Sequence, residues 1–247
     1  MKLTFLGTSH GVPAPDRHCS SAMLEVGQNV YVFDCGAPVV EGVLASGHSM
    51  NDLKAVFITH VHSDHTGCLF SLANLCSWYF RETNVNFFVP ERRLWDGLLA
   101  YHAGTSDAPL DEERLHAIVF DETLNYDDGT IRVSAIPTKH LFQYNHPAYS
   151  FMIEAEGKRL LITGDMSHGL RHDDFPKVCF EKHFDMVMTE LAHFDIEQMP
   201  FLDKIQCDNL VFWHVNKCDT KFPKIEALKG TLPYKVLLPS DNDIYEI

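Results

Sequence analysis

The chain has 247 residues, of which 45% are hydrophobic and 22% charged, a composition typical of a globular protein with one well-packed core. Its 34 acidic and 20 basic residues leave a net charge of −14, which argues against a broad binding surface for long nucleic acids. No apolar run approaches the roughly 20 residues of a membrane span, and residues 1–7 lack the apolar core of an export signal. We therefore expect no membrane association, and a cytoplasmic protein whose seven cysteines are reduced.

The first half of the chain alternates short runs of β-branched and aromatic residues with longer segments of helical period. Gly27, Gln28 and Asn29 separate two of the short runs and predict a hairpin. Thr66 precedes an apolar-periodic segment and is the predicted N-cap of its helix. In chain order, we predict strands at residues 2–6, 21–26, 30–34, 55–58, 86–89 and 115–120, and helices at residues 38–46, 66–81 and 92–103.

The second half repeats this arrangement, with a further hairpin predicted about residues 155–158. In each half, a strand that ends in a histidine or an aspartate is followed by a helix, which indicates a loose duplication. We therefore predict an α/β fold with two mixed β-sheets packed face to face and helices outside, an αβ/βα four-layer sandwich, in a single domain of residues 1–247. The predicted strands are residues 131–136, 148–153, 159–162, 185–189, 210–213 and 235–238, and the predicted helices are residues 196–205 and 224–228.

A histidine-rich loop follows the buried strand predicted at residues 55–58. His60 and His62 are two positions apart on an extended segment, so their side chains point the same way and can share one metal ion. The turn that follows brings Asp64 and His65 toward a second ion. Imidazole nitrogens and carboxylate oxygens suit zinc and neighbouring transition metals, and one loop can serve two ions roughly 3.5–4 Å apart. The alternative is a surface loop that binds adventitious metal.

Other predicted strand ends carry the same types of ligand. His140 follows a strand and Pro137, Asp165 lies in a Thr-Gly-Asp turn, and His214 follows an apolar strand. Asp34 ends an earlier strand, where it can accept a hydrogen bond from the second ring nitrogen of a metal-bound histidine. A lone histidine or aspartate at a strand end is usually structural, so these residues become informative only as a set.

The His-x-His-x-Asp-His motif of residues 60–65, followed in order by the three later strand-end residues, resembles the motif set of the metallo-β-lactamase superfamily. The N-terminal run Phe-Leu-Gly-Thr-Ser-x-Gly-Val-Pro is similar to that of its ribonuclease Z and cyclic phosphodiesterase branch. This resemblance covers essentially the whole chain. It implies the metallo-β-lactamase fold and two divalent metal ions, with zinc as the first choice and manganese or iron as alternatives. By the same resemblance, the first ion is held by His60, His62 and His140, the second by Asp64, His65 and His214, and Asp165 bridges the two.

The resemblance further implies a phosphodiesterase in which a hydroxide that bridges the two ions attacks phosphorus. One departure from ribonuclease Z narrows the substrate. Only 25 positions separate His140 from Asp165, which leaves no room for the long tRNA-gripping arm of that enzyme. We therefore expect a small or short phosphodiester, contacted by residues 141–146 directly after a predicted metal ligand.

A second departure concerns the proton donor. Ribonuclease Z has a His-Glu-Ala-Thr motif whose His–Glu pair serves proton transfer to the leaving group, and the corresponding stretch here is Thr-Glu-Leu-Ala at residues 189–192. Glu190 is kept, but the histidine is replaced by Thr189. His193, three residues after Glu190, is the candidate general acid, and the alternative is a surface-loop histidine. The predicted catalytic residues are thus Asp64, Glu190 and His193.

Three other functions are consistent with the same ligands. A bridging hydroxide can also attack a carbonyl group, as in a lactonase or thioesterase. A tRNA 3′-processing endonuclease would need another surface or a partner subunit in place of the missing arm. A metal-binding or sensing protein would show a filled coordination sphere with no open position. The resemblance is also consistent with a homodimer.

Overall fold

The first of two β-sheets is formed mainly by the N-terminal half of the chain. The structure is a computed structural model that describes residues 1–215 and 220–247. From one edge to the other, this sheet contains β14 (Ile244–Glu246), β1 (Lys2–Gly7), β2 (Ser21–Val26), β3 (Asn29–Phe33), β4 (Leu53–Phe57), β5 (Val85–Val89) and β6 (Leu115–Val119). Neighbouring strands are antiparallel in the series β14, β1, β2 and β3, and parallel in the series β3, β4, β5 and β6.

The second sheet repeats this mixed design. It contains β13 (Lys235–Leu237), β12 (Cys207–Phe212), β11 (Phe184–Thr189), β10 (Lys158–Ile162), β9 (Tyr149–Ala155), β8 (Arg132–Pro137) and β7 (Asn125–Asp127). Strands β7 to β10 pair antiparallel and β10 to β13 pair parallel. Each half of the chain therefore contributes antiparallel hairpins followed by parallel strands, which agrees with the duplication predicted from the sequence.

An aromatic core joins the two sheets. The rings of Phe33 and Phe57 stack with centroids 5.2 Å apart, and those of Phe57 and Phe88 stack 4.6 Å apart, across three neighbouring strands of the first sheet. Phe151 of β9 meets the Phe57 ring from the second sheet at 5.8 Å. Because alternate side chains of a strand point to one face, these residues form a continuous apolar layer between the sheets.

Helices cover the outer faces of both sheets. Val43, Leu72 and Trp95 are buried between the first sheet and its helices, and Cys179 and Ile225 are buried on the outer face of the second sheet. The layers are therefore helix, sheet, sheet, helix, which confirms the predicted αβ/βα sandwich. The α-helices are α1 (Val39–Ala45), α2 (Ser63–Thr66), α3 (Leu69–Trp78), α4 (Arg92–Thr105), α5 (Val178–Glu181) and α6 (Lys221–Leu228).

The helix predicted at residues 66–81 is wrong at its start. The chain is already helical from Ser63 in α2, and a separate helix, α3, begins at Leu69. Between them, the backbone N–H of Cys68 donates to the carbonyl oxygen of Cys35 at 2.8 Å, and the N–H of Cys35 donates to His65 at 2.7 Å. These bonds attach the loop to the end of β3, so tertiary contacts override the local capping signal of Thr66.

The helix predicted at residues 196–205 is also wrong. This segment forms two 3₁₀ turns, Ile196–Gln198 and Leu202–Lys204. Pro200 lies between them and has no N–H to donate to a continuous helix. The sequence analysis also missed β7, β14 and α5, which are too short to show a periodic pattern. The single-domain assignment of residues 1–247 stays a prediction.

Several strands end at the edge where the predicted ligands lie. The strands β4, β8, β10, β11 and β12 are followed by His60, His140, Asp165, Glu190 and His214. The two sheets are thus the rigid frame that holds loop residues in place. Within residues 1–215 and 220–247, no helix combines the length and apolar content needed to cross a membrane. The cysteines of these ranges are free thiols.

Gly36 provides a test of this packing. A Cβ atom at Gly36 would lie 1.9 Å from the backbone oxygen of Asp64 and 2.8 Å from that of Ser20. We expect Gly36→Ala to lower the free energy of unfolding by about 3 kcal/mol, because backbone atoms of two segments would have to move. Gly97→Ala is the matched control: it lies in α4 with open space around it and should raise the free energy of unfolding by roughly 0.5–1 kcal/mol. Urea unfolding curves measure both, and equal effects would contradict the described contact.

Candidate metal centre

The carboxylate of Asp165 lies at the centre of the site. Its side chain is 1% exposed, and Nε2 atoms of four histidines lie 3.5–3.7 Å from its oxygens. These distances exceed those of hydrogen bonds, and they leave space between each imidazole and the carboxylate. The four histidines are His60, His65, His140 and His214.

Buried polar atoms at this centre have no hydrogen-bond partner among the described residues. They are Nε2 of His60, Nε2 of His65 and both carboxylate oxygens of Asp165. Leaving such atoms unpaired in a protein interior costs roughly 1–3 kcal/mol each, and more when the group is charged. Nitrogen and oxygen donors that converge without hydrogen-bonding one another match what a divalent transition-metal ion requires. The residues present therefore fit the metal ions that the motifs predict.

Three groups of possible metal donors lie around this carboxylate, and two of them contain the predicted ligands. One group contains His60, His62, His140 and Asp165, and a second contains Asp64, His65 and His214, with the donor atoms of each within 4.8 Å of one another. Because Asp165 Oδ1 is 3.5 Å from His65 and Oδ2 is 3.5 Å from His214, the carboxylate also faces the second group. The structure thus brings together all seven residues predicted as ligands, and these clusters are compatible with a dinuclear metal site.

The outer nitrogens of the buried histidines are held by hydrogen bonds. Asp34 accepts a bond of 2.7 Å from His65 Nδ1 and bonds from the backbone N–H and the hydroxyl of Thr59. The same hydroxyl accepts from His60 Nδ1 at 3.0 Å. One buried carboxylate therefore orients a histidine of each donor group and leaves both Nε2 atoms facing the centre. This confirms the position predicted for Asp34.

Two further contacts of this kind were missed by the sequence analysis. Ser20 donates its hydroxyl to the Ser9 carbonyl and accepts from His214 Nδ1 at 2.6 Å. His140 Nδ1 donates to the carbonyl oxygen of Met166 at 3.0 Å. A serine inside a run of small polar residues and a backbone carbonyl give no local signal, because only the fold brings them next to a histidine.

The backbone at the site is held in left-handed conformations. Asp34 has φ +60° and His214 has φ +49°, and neither residue is a glycine. Gly164, directly before Asp165, has φ +59°, and a Cβ atom there would meet the Tyr149 carbonyl at 2.7 Å. Such conformations persist when surrounding packing enforces them, and they aim side chains at places that a regular strand cannot reach.

Burial and charge set the protonation of the centre. Burial lowers the pKa of His60 well below its ordinary value and also lowers the pKa of His214. Burial acts in the same direction on His65, but the charges of Asp165 and Asp34 outweigh it and raise the pKa of His65 well above its ordinary value. Burial alone would raise the pKa of Asp165, yet the nearby His214 and His65 hold it well below the ordinary range. Metal binding would displace the His65 proton, since only the neutral imidazole is a ligand.

Glu190 and His193, which the sequence analysis predicted as catalytic residues, lie beside Asp165. Glu190 is fully buried, and its carboxylate accepts bonds from the backbone N–H groups of Met166 at 2.7 Å and His193 at 2.9 Å. The Nδ1 atom of His193 is 2.8 Å from Glu190 Oε2 and 3.6 Å from Asp165 Oδ2. Burial lowers the pKa of His193, but its hydrogen bond to Glu190 outweighs this effect and raises the pKa to about 9. His193 is therefore not an isolated surface histidine.

A four-layer αβ/βα sandwich with a buried cluster of histidines and aspartates at one edge defines the metallo-β-lactamase fold with a candidate dinuclear metal centre. The solved structure of the protein YhfI from Bacillus subtilis shares this fold, with a TM-score of 0.75 and 16% identity over 100% of this chain and 98% of that one. The short form of human tRNase Z gives a TM-score of 0.71 and 20% identity over 100% and 99% of the two chains.

The family model described as "Anti-Pycsar protein Apyc1" matches residues 1–216, and the chain belongs to this family. Among curated relatives, ribonuclease Z of Synechococcus sp. (strain CC9902) is 31% identical over 159 residues, which are 62% of this chain and 49% of that protein. The chain therefore matches about half the length of this relative. These findings confirm the predicted superfamily and its ribonuclease Z-like branch.

Asp34 is the residue whose substitution tests the candidate centre most directly. In Asp34→Asn, an amide N–H₂ can replace the oxygen that accepts from His65, while asparagine still tolerates the left-handed backbone. We expect zinc affinity to fall about 10- to 100-fold, because His65 and His60 lose their shared orientation. Titration against a chromophoric chelator measures the number and affinity of bound ions. Asp121→Asn is the control, since Asp121 is exposed and its carboxylate bonds to the neighbouring Thr123, far from the centre in the chain. Equal affinities of the two variants would contradict the role of Asp34.

Proposed function

We propose that this protein is a metal-dependent hydrolase, and more specifically a phosphodiesterase that acts on a small or short phosphodiester. The observation that carries this proposal is the buried Asp165 carboxylate shared by two groups of histidine and aspartate donors. Two divalent cations in such a centre lower the pKa of water and offset negative charge on a phosphoryl group. We assign His60, His62 and His140 to the first cation, Asp64, His65 and His214 to the second, and Asp165 to both.

Asp64 is assigned a second role at the open side of the centre. Its side chain is 12% exposed, and its Oδ2 lies 3.5 Å from His65 Nε2 and 3.8 Å from His214 Nε2. Gly11 lies beside this oxygen, since a Cβ atom there would be 3.5 Å from it. A carboxylate in this position can contact both a cation and incoming water. We propose that Asp64 accepts the proton of the attacking water.

His193 is the proposed donor of a proton to the leaving oxygen. Glu190 holds it through a bond of 2.8 Å to Nδ1, and Glu190 is itself fixed by backbone N–H groups, so the ring has a defined orientation. Its centroid is 4.6 Å from that of His140, which places it beside the first donor group. A histidine held by a carboxylate next to the reaction centre suits general acid catalysis. In this arrangement, His193 and Glu190 take the place of the His–Glu pair of ribonuclease Z, in which the histidine directly precedes the glutamate.

A small substrate is favoured by what lies between His140 and Asp165. This segment contains one 3₁₀ turn at Phe142–Tyr144 and the hairpin of β9 and β10. No inserted arm extends from it, and the net charge of −14 disfavours a long polyanion. We therefore propose that the substrate is a cyclic or short phosphodiester rather than a tRNA precursor.

The remaining assignments follow from the donor set and the resemblance. Histidine and carboxylate donors suit zinc, manganese and iron, and we propose zinc as the ion. We also propose a cytoplasmic protein that functions as a homodimer.

The reaction class can be tested with a panel of substrates. Chelated protein, refilled with zinc or manganese, is assayed with bis(p-nitrophenyl) phosphate, a 3′,5′-cyclic nucleotide, a lactone and a tRNA precursor. We expect metal-dependent cleavage of the first two, and a loss of at least 10³-fold in Asp165→Asn with the fold retained by circular dichroism. Cleavage of the lactone alone would replace the proposal with a carbonyl hydrolase, and cleavage of the tRNA precursor alone would favour an endonuclease.

The role of His193 predicts a dependence on the leaving group. In His193→Gln, we expect kcat to fall about 10²- to 10⁴-fold for a cyclic nucleotide, whose alkoxide must be protonated as it leaves. For a p-nitrophenyl ester the loss should be much smaller, because that leaving group departs as a stable anion. His183→Gln is the control and should leave both rates unchanged, because His183 is exposed and directly precedes β11, at the opposite end of the strand from Glu190. Equal losses on both substrates would indicate a positioning role instead.

A further inference from the structure

A small cleft opens directly beside His140. It is lined by Lys139, His140, Gln143, Ser167, His168, Arg171 and His172. We call this feature the Arg171 cleft. Its volume is about 90 Å³, well below the roughly 300–1,000 Å³ of sites for drug-sized molecules. A group the size of a phosphate can enter it, whereas a nucleoside cannot.

The lining of the cleft is cationic although the chain carries a net charge of −14. Lys139 and Arg171 are its charged residues, and no carboxylate lines it among the described residues. Two carboxylates of the adjoining loop already have partners. Asp174 accepts bonds from the backbone N–H groups of Lys139 at 2.8 Å and Ser167 at 2.9 Å, and Asp173 pairs with Lys177 at 3.2 Å. The charged side chains that line the cleft are therefore cationic, and the Asp174 carboxylate is bonded to the backbone of two lining residues, Lys139 and Ser167.

The cationic groups of the cleft are available to a ligand. Within residues 1–215 and 220–247, the guanidinium of Arg171 forms no hydrogen bond or ion pair, and its side chain is exposed. Lys139 Nζ lies over the ring of Phe142 at 5.0 Å, and that ring is 62% exposed. A guanidinium presents donors in a planar fork that matches phosphate oxygens.

The loop that carries Arg171 has a fixed shape. Gly169 has φ +68° and Leu170 has φ +51°, a left-handed pair that only surrounding contacts can maintain. The N–H of Gly169 donates to the His193 carbonyl at 2.8 Å, and its carbonyl accepts from the Gln198 side chain. The backbone next to Arg171 is thus bonded to His193, the proposed general acid.

We propose that the Arg171 cleft binds a second phosphate group of the substrate, one that is not cleaved and that neighbours the scissile phosphodiester. This inference rests on the proposed phosphodiesterase function. Because the cleft shares His140 with the candidate metal centre, a phosphate in it lies next to the group that the metal ions hold. The preferred substrates are therefore nucleotides or short oligonucleotides with an additional phosphate, rather than diesters with a single phosphate.

A matched pair of chromogenic substrates tests this preference. Thymidine 5′-(p-nitrophenyl phosphate) and its 3′-phosphorylated derivative differ only by the second phosphate. We expect zinc-loaded protein to show a kcat/KM about tenfold higher for the derivative, because its KM is lower. A factor of about ten in affinity is what one charge-assisted contact provides. Arg171→Gln should remove this difference and leave hydrolysis of the unphosphorylated substrate unchanged. Lys177→Gln removes the same charge from the same loop outside the cleft, and it should keep the difference.

Two results would overturn the inference: equal kcat/KM values for the two substrates in the wild type, or an equal effect of Arg171→Gln on both. If the wild type cleaves neither substrate, the proposed function fails, and binding decides the inference separately. Isothermal titration calorimetry on metal-free protein then compares thymidine 3′,5′-bisphosphate with thymidine 5′-monophosphate. Binding of the bisphosphate about tenfold tighter, lost only in Arg171→Gln, supports the cleft as a phosphate site. Equal affinities contradict it.

Discussion

The buried carboxylate of Asp165 is the constraint on which the rest of the site depends. An ionised carboxylate removed from water costs several kcal/mol unless opposite charge or hydrogen bonds compensate it. Here neither oxygen has a hydrogen-bond partner in the described part of the chain, and imidazole nitrogens stand 3.5–3.7 Å away on several sides. Bound metal ions would compensate this cost, and the loops that follow the surrounding strands carry the donors that face this group.

A second layer of contacts gives the donors their direction. Asp34 and Thr59 together orient one histidine of each donor group, and Ser20 and the Met166 carbonyl orient two others. The left-handed backbone at Asp34 shows that the fold accepts local strain to place this carboxylate. Because Asp34 orients histidines of both donor groups, both proposed ions would be affected by its loss, as they would be by the loss of Asp165.

The charge distribution links the centre to its proposed substrate. A chain of net charge −14 repels a long polyanion, but the two proposed divalent cations, together with the Arg171 cleft, would concentrate positive charge within a small area. A compact phosphoester can exploit that area without crossing the acidic surface. His193 lies between the two features, since Glu190 holds its ring and its carbonyl holds the loop of Arg171.

The sequence by itself predicted the layered fold and the four donors of the His-x-His-x-Asp-His motif, because strand period and motif spacing are local properties that directly reflect chain geometry. The resemblance to the metallo-β-lactamase superfamily added His140, Asp165 and His214 to the predicted ligands. The sequence also located Asp34, whose place at a strand end is visible in the pattern. Only the tertiary structure decided the start of the helix near Ser63, the contacts of Ser20 and Met166, and the cleft around Arg171. These features join segments far apart in the chain, and such contacts leave no periodic or compositional trace before the two sheets pack together.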